Sequence, residues 1–154
     1  MLTKALLTGL LALSAAVPLT TAVTTPSALP NTAPSSRLAG TWEIAGVPDP
    51  VYGIPPFVNV SSIGFDGAVV NVDPEVGTGV GESLRTGPNT YTAGFFGYLD
   101  AGGPATYEVS STLTLTGPDT FSGLFRTEVF DLNGLPLFDY KGTISGTRLS
   151  AQPY

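Results

Sequence analysis

Residues 38–150 predict an all-β domain, an eight-stranded antiparallel up-and-down (meander) β-barrel, and three observations carry that expectation. Turn-forming clusters of Gly, Pro, Asp and Asn recur along the segment. The stretches between them are rich in Val, Ile, Thr, Tyr and Phe and alternate in polarity. No stretch shows a helical apolar period with caps.

The strands follow from the turns. Thr41–Gly46 is the first, and Val47–Pro56, with four prolines, is expected to be a long loop because proline cannot donate to a ladder. Phe57–Phe65 is joined to Ala68–Val72 by Asp66-Gly67, a two-residue hairpin signal. Asp73–Gly77 leads to Thr78–Arg85, and Thr86–Pro88 to Asn89–Leu99. Asp100–Pro104 leads to Ala105–Leu115, and Thr116–Asp119 to Thr120–Leu132. Asn133-Gly134 is a second hairpin signal, before the last strand, Leu135–Leu149. A meander of this kind removes its edges by closing on itself, and a two-sheet sandwich is the alternative. Glycines inside the strands, at 64, 94, 97, 123, 142 and 146, suit the sharp coiling of a small barrel.

An even number of strands puts the start of the first and the end of the last at one end of the barrel. Short connections stitch that end shut, and the longer loops rim the other. The expected shape is a cup. Alternation places Trp42 and Ile44 on one face, and Phe138, Tyr140, Ile144 and Arg148 on one face of the last strand. An inward Arg148 needs a partner, and the indole of Trp42 offers a cation–π contact.

Ahead of the domain, Lys4, an apolar run from Ala5 to Leu13 and small residues to Val17 follow the order of a secretory signal peptide. Residues 1–22 are therefore expected to direct export, to a secreted (extracellular or periplasmic) location. The apolar run is shorter than a bilayer span, so no stable membrane anchor is expected after cleavage. An uncleaved anchor or a core helix is the alternative. Residues 23–37, rich in Thr, Ser and Pro, read as a disordered linker.

Composition narrows the chemistry. The 154-residue chain has no Cys and no His, and 12 acids against 6 bases give a net charge of −6. Thiolate metal sites, disulfides and the usual general base are absent. The acidic balance argues against nucleic acid, which requires a basic stripe. No Ser-His-Asp arrangement, phosphate loop or H-E-x-x-H is present, and no metal or cofactor is expected. Asp49, Asp73, Glu75 and Asp100 fall on rim loops, where oxygen ligands for Ca²⁺ are one reading and solvated charge the other.

Gly40-x-Trp42 on the first strand, the long first loop at the open end and Arg148 on the last strand resemble the calycin group, lipocalins and their short bacterial relatives. The resemblance covers about 110 residues, and implies a barrel that holds a ligand. In architecture and in Phe121-Ser122-Gly123 the chain is also similar to allene oxide cyclase and dirigent-like barrels. It departs from lipocalins in lacking a mid-chain Thr-Asp-Tyr motif, a helix after the last strand and a disulfide.

Candidate ligand-binding residues are Tyr52, Phe57, Phe95, Phe138 and Tyr140 as apolar walls, with Asn59 or Glu82 fixing orientation. Glu82 alternates with Val80 and Leu84, which places it inside the cup if that apolar face is inward. Beside a phenol such as Tyr107 or Tyr140 it would be a weak candidate for catalysis by proton transfer. Asn59-Val60-Ser61 forms a glycosylation triplet that a strand would leave idle. Trp42 and Arg148 are the barrel-closing residues. The leading expectation is a barrel that binds a small apolar molecule. The alternatives are a structural module with a filled core, and a cofactor-free cyclase or isomerase using Glu82. Oligomeric state is open.

Overall fold

The computed structural model describes residues 37–99 and 105–150. The expected leader and linker lie outside the described residues, apart from Arg37. Eight strands, β1 (Gly40–Pro48), β2 (Phe57–Ile63), β3 (Ala68–Asp73), β4 (Gly77–Arg85), β5 (Thr90–Leu99), β6 (Ala105–Leu115), β7 (Thr120–Asp131) and β8 (Pro136–Arg148), form a closed antiparallel meander barrel. Each strand pairs with its neighbours in sequence, and β1 with β8 closes the ring in the register Trp42↔Arg148 to Pro48↔Gly142.

The strands match the expected ones to within a few residues, with three instructive differences. β1 runs on to Pro48, into the stretch expected to be loop. Pairing with β2 has already ended at Gly46↔Phe57, and Asp49 donates from its N–H to the Lys141 carbonyl. The missing proline N–H therefore falls on the side where no ladder partner is waiting. β2 stops at Ile63, because the Gly64 N–H bonds to the Ala68 carbonyl and starts the turn, leaving Phe65 exposed. The β1–β2 loop contains a single 3₁₀ turn, Pro50–Tyr52, ended by Gly53 in the left-handed conformation.

Turn chemistry acts where the sequence places it. Gly67 and Gly134 have φ of 93° and 80°, a region in which a Cβ is unfavourable. Asp131 builds the β7–β8 turn, its Oδ1 accepting from the N–H groups of Asn133 and Leu135, each at 2.8 Å. The Leu135 bond is the main cause holding its carboxyl below the usual aspartate range.

The closed end is a plug around Trp42, which is fully buried together with Leu38. Its indole N–H donates to the Leu38 carbonyl at 2.8 Å, and its ring meets Phe121 with centroids 5.0 Å apart. The Arg148 guanidinium lies 4.2 Å from the Trp42 ring centre. Rather than entering the lumen, Arg148 spreads across the floor. It donates to the carbonyls of Ala39, Arg37 and Pro118 and pairs with Asp119 at 3.1 Å. Arg37, expected to be linker, belongs to this floor, with a further bond to the Asn89 side chain at 2.7 Å.

The outer wall is divided. Val58, Val60, Val70, Val72, Val80, Phe96 and Tyr98 give β2–β5 an exposed apolar surface. The outward side chains of β6 and β8 are mainly Thr, Ser and charged residues, while β7 carries the ion pairs of Arg126 with Glu128 and Asp139.

Candidate ligand-binding lumen

An eight-stranded barrel encloses a space that side chains either fill or leave to one small ligand. Here the interior holds a cavity of about 300 Å³. It opens beside Ile54, Pro55 and Pro56 of the first loop and Asp73, Glu75 and Val76 of the β3–β4 turn, and descends to Ile63, Leu113 and Phe121 above the plug. Among the described residues, side chains leave this part of the interior open. Its aromatic rings are set against the wall.

Cross-strand glycines make room for those rings. Gly46 pairs with Phe57, Gly97 with Tyr107 and Gly146 with Phe121. A Cβ at these three glycines would come within 2.2, 2.5 and 2.1 Å of the facing ring. Each ring thus lies along the sheet over a backbone with no side chain. Gly146→Ala is expected to push Phe121 out of its place against Trp42 and lower stability by about 1–3 kcal/mol, the cost of overpacking. Urea unfolding of the variant checks this.

Of the expected site residues, Phe57, Asn59, Phe95, Phe138 and Tyr140 line the cavity. Edge-to-face contacts join Phe57, Phe125 and Tyr140, with centroids 5.5 and 5.9 Å apart. Phe138 stacks on Tyr140 at the rim, half exposed. Phe95 contacts Tyr107 on the facing wall at 6.2 Å.

Two expectations need correction. Tyr52 sits in the 3₁₀ turn of the first loop and does not line the cavity, and Ile54, Pro55 and Pro56 take that place. Glu82 is on the outer wall, exposed, together with Val80 and Leu84. The inward positions of β4 are Gly79, Gly81 and Ser83. A Cβ at Gly79 would stand 2.5 Å from the Phe95 ring, and one at Gly81 only 1.9 Å from the Gly94 carbonyl oxygen. Space inside was decisive, so the small residues face in and the apolar ones face out. Hydrophobic alternation pointed the other way. Arg126 is engaged with Glu128 and Asp139, and Arg85 donates to the carbonyls of Gly87 and Pro88.

The lumen carries polar groups that the sequence reading did not assemble. Ser61 and Asn71, both almost completely buried, share a 2.7 Å hydrogen bond across β2 and β3. Ser111 donates to the Ala93 carbonyl at 2.9 Å. Asn59 and Tyr107 line the same cavity, and Asn59 Oδ1 and the Tyr107 hydroxyl are buried without a hydrogen-bond partner, as is the hydroxyl of Tyr91, which does not line it. An unsatisfied buried polar atom costs about 1–3 kcal/mol, a cost that a hydrogen-bonding partner would remove.

Burial, and next the charge of Asp73 and the Tyr140 phenol, hold the Tyr107 hydroxyl above the ordinary tyrosine range. It is a neutral donor at physiological pH. Above about pH 10 the unfolded chain loses this proton while the folded chain keeps it, so the folded state binds more protons there. The associated stability is intact below that pH and falls as pH rises towards the folded pKa. Tyr107→Phe is expected to flatten this alkaline loss relative to the parent, as read by thermal unfolding across pH 8–12. Asp73 Oδ1 is occupied by the N–H groups of Glu75 and Val76, at 2.8 and 3.1 Å. Among the described residues no three acidic side chains gather as a metal site would require.

No protein-family model matches the chain, and no curated protein matches its sequence.

Proposed function

We propose that this protein is an exported, calycin-like barrel that binds one small, predominantly apolar molecule in its lumen. The observation that supports this most is the cavity of about 300 Å³, lined by Phe57, Phe95, Phe125 and Tyr140 and by two residues, Asn59 and Tyr107, that carry unpartnered oxygens. The volume lies at the lower end of the range for ligand pockets, about 300–1,000 Å³. The calycin likeness rests on the Trp42–Arg148 contact at the closed end, where the two residues pair across β1 and β8. Export rests on the order of residues 1–22. The cyclase reading loses its acid, since Glu82 is on the outer wall.

Native mass spectrometry of protein purified gently from its own cells tests the proposal. A bound mass of one small molecule per chain, lost on denaturation, supports it. An empty chain that also takes up nothing from a mixture of apolar metabolites contradicts it.

A further inference from the structure

Given the binding reading above, on which this rests, the chemical class of the ligand follows from what the lumen contains and what it excludes. Among the lining residues the charged ones are Asp73 and Glu75, both acids, at the mouth. The five basic residues of the described chain all lie elsewhere. Arg37 and Arg148 form the floor, on the far side of Trp42 from the lumen. Arg85 is tied to the carbonyls of the β4–β5 turn, Arg126 pairs with acids on the outer wall, and Lys141 is exposed. A carboxylate entering this cavity would pass two acids and find no cation. Burying a charge without a partner is strongly unfavourable.

What the lumen does offer is neutral hydrogen bonding. Asn59 is 7% exposed and Tyr107 is 4% exposed, both line the cavity, and each has a buried oxygen without a partner. An amide oxygen accepts, and a phenol both donates and accepts. Both residues line the one cavity, Asn59 from β2 and Tyr107 from β6. In the β2–β3 ladder Ser61 faces Asn71, and the same register continued towards the mouth brings Asp73 level with Asn59. A ligand hydroxyl can donate to Asn59 Oδ1 and can accept from the Tyr107 hydroxyl.

We infer that the lumen selects uncharged apolar alcohols and discriminates against the corresponding carboxylates, with Asn59 and Tyr107 as hydroxyl-binding groups and Asp73 and Glu75 as the excluding charges.

The test uses the neutral fluorophore N-phenyl-1-naphthylamine as a reporter bound to the purified protein at pH 8, displaced by decan-1-ol or by decanoate. Decanol is expected to displace it at a concentration at least tenfold lower than decanoate. Asn59→Leu and Tyr107→Phe should each weaken decanol about tenfold while the fluorophore still binds. Asp73→Asn, which keeps the acceptor for the turn, combined with Glu75→Gln should narrow the gap by strengthening decanoate. Decanoate binding as well as decanol, or decanol affinity unchanged in both anchor variants, overturns the inference and leaves the apolar-binding reading standing. Failure of the fluorophore to bind at all overturns that reading, and this inference with it.

Discussion

Trp42→Ala is expected to lower the unfolding free energy by about 3–5 kcal/mol, the usual cost of deleting a large aromatic side chain from a core. Three losses coincide at this position. The indole is fully buried against Leu38 and Phe121. Its N–H is the partner of the buried Leu38 carbonyl. Its face supports the Arg148 guanidinium, which in turn ties the segment before β1, at Arg37 and Ala39, to the β6–β7 turn at Pro118. The chain has no disulfide to hold the ring of strands together once this plug is gone. Denaturant unfolding followed by circular dichroism measures the change. A variant as stable as the parent would mean that the plug does not close the barrel.

The second large effect concerns the lumen itself. Ala93→Trp projects a bulky ring from β5 into the cavity, at a small residue that already lines it. Uptake of a neutral apolar ligand is expected to fall by a hundredfold or more. The barrel should remain folded, because the new ring enters space that no side chain occupies. Binding that persists unchanged would place the ligand elsewhere, and the exposed valine-rich surface of β2–β5 is the evident place.

The sequence reading succeeded where a residue's role is set by local chemistry. Asp66-Gly67 and Asn133-Gly134 turn the chain because glycine at each takes a positive φ. Trp42 and Arg148 meet because an even number of strands returns the chain to the end where it began, and the register puts them opposite one another. The inward face of β2, with Phe57, Asn59, Ser61 and Ile63, followed directly from alternation.

It failed where tertiary space overrides polarity. On β4 both faces read as plausible interiors, Val80 and Leu84 on one and glycines and Ser83 on the other. Only the neighbouring Phe95 ring decides between them, and it lies on another strand. The same applies to the cavity. Counting aromatic residues gives no sign of whether they fill a barrel, since that depends on which ring faces which glycine across a ladder. Gly46, Gly97 and Gly146 were legible as strand glycines, but not as beds for Phe57, Tyr107 and Phe121. Tyr107 could be placed on an apolar face from its neighbours, whereas its unpartnered hydroxyl and its closeness to Asp73 required the closed barrel.

The measurement that tests the central claim most directly is a fluorescence titration of N-phenyl-1-naphthylamine into the parent protein and into Ala93→Trp, side by side. Saturable uptake at one molecule per chain by the parent, lost in a variant that stays folded, is the predicted result. No uptake by the parent, or equal uptake by both proteins, would contradict a ligand-binding lumen.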